Sequence, residues 1–142
     1  MNASSRIDPE LVLAYNTTEY RIDGQHGFIL RIGEASAALC KAHQHHKVQC
    51  SGLITACNPF SGRCDVATNQ IRQRALALEL KHRSLAFDSA IGQHPANRWP
   101  GEVSLLAYGL SLCQAMALGQ QFQQNALVWS ATDGIPQLIL LR

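Results

Sequence analysis

A chain of 142 residues with 46% hydrophobic and 15% charged side chains has the composition of one packed domain, and it is long enough to bury roughly two thirds of its unfolded surface. A formal net charge of +2, with no Lys/Arg run beyond an isolated pair, gives no support to nucleic-acid binding, and no apolar stretch reaches the length of a membrane span. Residues 1–8 lack the charged and apolar regions of a secretory signal, and five cysteines without a CxxC pair read as reduced thiols, so a cytoplasmic protein folded as a single domain over residues 1–142 is expected.

Taken in chain order, Asp8-Pro9-Glu10 carries helix-start chemistry and predicts a short helix from Pro9 to about Tyr15. Tyr20 and Ile22, a Gly24 turn, then Phe28, Leu30 and Ile32 on one face predict a hairpin. Gly33-Glu34-Ala35-Ser36 opens a second helix, carried by Ala-rich sequence through Leu39 and Cys40, that loses its pattern in HQHHK. From Cys50 to Cys57 apolar residues stand on successive positions, which predicts a central strand covered on both faces. The helix from about Asp65 to His82 is expected to bury Ala67, Ile71, Ala75 and Leu78 and to turn Gln70, Arg74 and Lys81 away. A weak strand near Leu85-Ala86-Phe87 is followed by SAIGQHPANRWPGE, irregular by its Gly, Pro and Asn content and read as a long ordered loop because Trp99 gives it something to bury. Val103–Gly109 predicts a strand, Ser111 caps a helix to about Phe122, and Ala126–Ser130 and Pro136–Leu141 close the chain as strands joined at Asp133-Gly134. The order α-β-β-α-β-α-β-β-α-β-β predicts an α/β fold, or its α+β variant, with helices packed on a single mixed sheet.

The loop Asn58-Pro59-Phe60-Ser61-Gly62 follows the central strand and precedes a helix, a usual place for ligand chemistry in mixed α/β folds. Asn58 offers a donor and an acceptor, Ser61 or Asp65 can cap the next helix, and the helix start leaves N–H groups free for an anionic or carbonyl ligand. Equally, Asn58 and Ser61 can serve only the turn's own backbone. Asn69 and Arg72 stand three apart on one helix flank, from which both can face this loop or simply meet solvent.

Trp99-Pro100-Gly101-Glu102-x-Ser104 supplies an aromatic wall, a fixed turn, and a carboxylate and hydroxyl whose spacing of two puts them on one strand face. Glu102 is the carboxylate nominated for acid/base work, and the competing reading pairs it with Arg72 or Arg98. Cys40, His43, His46 and Cys50 recur at metal-like spacings, but steps of three drift around a helix, so no metal site is expected. No base stands near Cys57 or Cys64 in sequence, and phosphate-loop, Walker and serine-elbow templates are absent, so no cofactor is expected.

The segments Leu30-Arg31-Ile32-Gly33, Ile54-Thr55-Ala56-x-Asn58-Pro59-x-Ser61, Asn69, Trp99-Pro100-x-Glu102-x-Ser104 and Gln124-Asn125-Ala126-x-Val128-Trp129 together resemble the bacterial domain-of-unknown-function family 3293. The resemblance runs from Glu19 to the terminal Leu-Leu-Arg and implies a shared polar site without implying an activity. The resulting expectation is a domain that binds a small polar or nucleotide-like ligand. Asn58, Ser61, Asn69, Arg72, Trp99, Ser104 and Gln124 would hold that ligand, and Glu102 would exchange protons with it. The alternative is a non-enzymatic interaction or regulatory module. Oligomeric state is not read from the sequence.

Overall fold

Asp8 opens the first helix, α1 (Pro9–Thr17), by accepting a hydrogen bond of 2.8 Å from the Glu10 N–H, with Pro9 in the first turn where no donor is needed. The computed structural model describes residues 6–24, 27–95 and 101–142. After α1 come β1 (Glu19–Ile22), β2 (Phe28–Arg31), α2 (Ala37–His45), β3 (Ser51–Ile54), α3 (Val66–His82), β4 (Phe87–Gln93), β5 (Glu102–Tyr108), α4 (Leu112–Gln121), β6 (Ala126–Ser130) and β7 (Gln137–Leu140). Each later α-helix also begins on a side-chain cap: Ser36 accepts from the Leu39 N–H, Asp65 from the Thr68 N–H, and Ser111 forms a reciprocal capping box with Gln114.

The seven strands form one sheet in the order β2-β1-β4-β5-β3-β6-β7. The element order and the single sheet with packed helices agree with the sequence pattern. The pairing differs in one respect, for every neighbour is antiparallel, which makes the fold the α+β variant rather than a sheet of mixed direction. No described helix is long and apolar enough to cross a membrane.

Strand alternation divides the core between two faces. Leu105 and Ala107 point to one side, where Leu76 and Leu80 of α3 and Ala115 and Leu118 of α4 cover them. Leu106 and Tyr108 point to the other, where Leu39 of α2 closes a cluster with Ile22, Leu30, Leu53 and Val128. Each fully buried large aliphatic contributes about 1.5–3 kcal/mol of transfer free energy.

Three segments depart from expectation. The strand read as Cys50–Cys57 stops at Ile54, because Thr55 turns its hydroxyl to the Val103 carbonyl (2.7 Å) and the chain leaves the ladder. β4 runs on to Gln93 through residues expected in a loop. Its Gly92 lies opposite Tyr20, and a Cβ there would sit 3.1 Å from the ring, so the glycine that looked like a breaker makes room for an aromatic partner. Helix α3 is turned over: Leu76 and Leu80 are buried, while Ile71 and Leu78 of the expected core stripe are 65% and 57% exposed. The side of α3 facing the protein begins with Asn69, Arg72 and Gln73, so apolar periodicity pointed at the wrong side of its first half.

Candidate functional site

Antiparallel pairing of β3 with β5 places the end of β3 beside the start of β5, with Ile54 opposite Leu105. The Asn58 loop and Glu102 therefore meet, although 44 residues separate them, and Asn58 Nδ2 donates to Glu102 Oε2 at 2.9 Å.

The loop is bent hard. Asn58 (φ 49°), Phe60 (φ 53°) and Ser61 (φ 61°) all adopt left-handed backbone, and Pro59–Ser61 forms a single 3-10 turn. Left-handed backbone costs a non-glycine residue about 1–2 kcal/mol, least for asparagine, so the surroundings must hold this shape. Asn69 does much of that work: its Oδ1 accepts the Asn58 backbone N–H at 2.9 Å and its Nδ2 donates to Asn58 Oδ1 at 3.0 Å. The Cys64 N–H donates to the same Asn58 oxygen at 3.0 Å. Phe60 N–H donates to the Gln123 carbonyl, and Gln123 is itself left-handed (φ 60°).

Ser61 is the second knot. Its Oγ accepts from Asn125 Nδ2 at 2.9 Å and shares a 2.8 Å hydrogen bond with the Tyr15 hydroxyl, which ties α1 to the loop. Arg142 donates to Asn125 Oδ1 at 3.1 Å and lies over the Phe60 ring at 4.2 Å. Arg72 joins the segment after β3 to the end of α4, with Nε donating to the Ala56 carbonyl (2.6 Å) and Nη2 to the Phe122 carbonyl (2.5 Å). Gln124 Nε2 donates to the Cys57 and Phe122 carbonyls, both at 3.1 Å. Gln73 Oε1 accepts from the Ala56 N–H at 3.0 Å, while its buried Nε2 has no partner among the described residues.

Glu102 is half-buried on the sheet face that also carries Ser104, Leu106 and Tyr108. Burial pushes its carboxyl above the ordinary glutamate range, and the Asn58 hydrogen bond pulls it partway back. It forms no ion pair among the described residues. The expected partner Arg72 has its donors on carbonyls and on Gln123 Oε1, and Arg98 lies outside the described residues. Ser104 is buried, and among the described residues its hydroxyl makes only a long 3.5 Å contact with the Glu102 carbonyl.

Of the residues singled out from sequence, Asn58, Ser61, Asn69, Arg72, Ser104, Gln124 and Glu102 lie on or beside this network, and Trp99 falls outside the described residues. Tyr15, Gln73 and Asn125 also belong to it. Only Asn125 carries a sequence signal, as the last of three consecutive amides before an apolar strand. Two hollows open elsewhere: one of about 220 Å³ between Glu19, Arg21, Ile29 and Ile91, and one of about 300 Å³ along α1 at Leu13 and Ala14. His94 borders both, and neither is lined by Asn58, Ser61 or Glu102.

The spaced Cys and His residues scatter. His43 shares a 2.8 Å hydrogen bond with Ser51, His46 stacks on Tyr108, and Cys50 points its thiol at the Leu110 carbonyl. Among the described residues no group of three or more His, Cys, Asp or Glu could hold a metal ion. Burial pushes the Cys57 thiol up, away from the thiolate a nucleophile needs.

A family model described as "Protein of unknown function (DUF3293)" matches residues 54–127, just over half of the chain. That span contains the loop, the inward side of α3, Glu102 and Gln124, and leaves out Tyr15 and Arg142. No curated protein and no solved structure matches the chain.

Proposed function

The chain belongs to the DUF3293 family of proteins of unknown function, and we propose that it binds a small polar ligand, nucleotide-like in size and chemistry, through the carboxyl of Glu102. The observation that carries this reading is a half-buried carboxyl without a cation among the described residues, held by one amide from a strained loop. Asn58 and Asn69 have their hydrogen bonds committed to each other, to the backbone and to Glu102, and the Ser61 hydroxyl is taken by Asn125 and Tyr15, so they act as the mount. Glu102 Oε2 takes the Asn58 bond, and Oε1, which accepts no hydrogen bond among the described residues, is the acceptor offered to a ligand. Such a ligand offers an N–H edge or an amine, and where it is turned over, Glu102 is the group that gives or takes the proton. The same reading makes this a bacterial cytoplasmic protein, in keeping with its free cysteines.

The test is a thermal-shift screen of wild type and Glu102→Gln against nucleobases, nucleosides, nucleotides, amines and amino acids. A ligand at a hundredfold excess over its dissociation constant adds about 2.7 kcal/mol to native stability. The expected result is a raised midpoint with at least one compound, lost in Glu102→Gln; a flat response across the library overturns the reading.

A second reading, a non-enzymatic interaction or regulatory module, is favoured by one observation: Val66, Ile71 and Leu78 of α3 are 72%, 65% and 57% exposed.

A further inference from the structure

Helix α3 is apolar on two sides. Leu76 and Leu80 anchor it to the sheet, yet Leu78, two residues from each, stands on the opposite side of a helix that turns about 100° per residue. Ile71 shares that outer side, with the small Ala67 and Ala75 beside and between the two aliphatics. From Ala67 to Leu78 the stripe spans about 16 Å of helix axis, about three turns. A helix that is apolar on both sides is ordinarily covered on both sides.

The charge around the stripe has one sign. Arg74 and Lys81 line the same flank, Arg63 precedes the helix, and none of the three forms an ion pair among the described residues. The acidic groups nearby are already engaged: Asp65 caps the helix at the Thr68 N–H, and Glu79 pairs with Arg83 at 3.0 Å. A second copy pairing antiparallel about the middle of this stripe would bring Arg74 against its own counterpart, so self-association is disfavoured.

We propose that the outer face of α3 is the docking site for an amphipathic helix of another protein, one that presents Leu or Ile at three-and-four spacing with Asp or Glu beside them. The aliphatics supply burial and the acidic residues meet Arg74 and Lys81, the arrangement of helix-in-groove recognition. This surface lies on the side of α3 away from Asn69, Arg72 and the Asn58 loop, so it is independent of the ligand reading.

The experiment is selection of a displayed library of helical peptides against the full chain at physiological salt. Recovered peptides are expected to combine aliphatic spacing with acidic residues. They should bind Ile71→Asp and Leu78→Asp about tenfold or more weakly while still binding Glu102→Gln. Both outer positions are exposed, and a thermal melt of each variant verifies folding before binding is measured. Reversing the flank with Arg74→Glu and Lys81→Glu together should shift the recovered peptides toward Lys and Arg. The proposal is overturned by a library that yields no binder, or by binders indifferent to Ile71→Asp and Leu78→Asp. It is equally overturned if light scattering shows a dimer that Ile71→Asp dissolves, or if the chain sediments with phosphatidylglycerol vesicles through the same residues.

Discussion

At Asn58 the backbone lies at φ 49°, ψ 67°, and the side chain joins Asn69, Cys64 and Glu102. Conformation and hydrogen bonding can be separated there by two substitutions. Asn58→Gly keeps easy access to the left-handed region and loses the side-chain hydrogen bonds, with an expected loss of about 1–3 kcal/mol. Asn58→Ala loses the same bonds and adds about 1 kcal/mol of backbone strain, so it should be the less stable of the two in urea unfolding. An alanine variant as stable as the glycine one would show that the loop relaxes out of this conformation. The chain itself points to this residue, because Asn-Pro after an apolar run marks a turn and Glu102-x-Ser104 marks one strand face. Tyr15 meets Ser61 across 46 residues, and a contact between two ordinary polar side chains so far apart leaves no local pattern to read.

At the scale of elements, caps and periodicity suffice for the order of four helices and seven strands, since each helix start carries its own acceptor. They fail for the facing of α3, where the inward positions Asn69, Arg72 and Gln73 are polar because they grip backbone rather than fill a core. They fail again for β4, where Gly92 breaks the pattern. Gly92→Ala would bring a methyl to 3.1 and 3.2 Å from two Tyr20 ring carbons and 3.4 Å from Thr18 Cγ2. The expected loss is about 1–3 kcal/mol. In a double-mutant cycle with Tyr20→Leu the two substitutions should couple, since the glycine matters only while the ring is there. Additive losses would place the cost of Gly92→Ala in strand geometry instead.

For the molecule as a whole, the half-buried Glu102 and the buried His43 give stability opposite slopes with pH. Burial raises the folded-state pKa of Glu102, so its contribution is complete below the ordinary glutamate range and is lost as pH rises through the folded value. Burial, followed by the neighbouring His46, lowers that of His43, whose contribution is present above the ordinary imidazole value and is lost as pH falls through the folded one. Urea unfolding from about pH 4 to pH 8 should therefore show Glu102→Gln removing the decline toward neutrality. His43→Gln, which keeps an amide within reach of Ser51, should remove the decline toward acid. Profiles parallel to wild type in both variants would mean that neither group is buried in solution. The sheet order carries a consequence for synthesis on the ribosome. β1 finds β2 within a few residues, but β3 has β5 on one side and β6 on the other, and both are translated long after it. Until residue 102 leaves the exit tunnel, Leu53 and Ile54 emerge as an apolar strand with two unmatched edges, so a nascent chain halted before β5 is the species most in need of a chaperone.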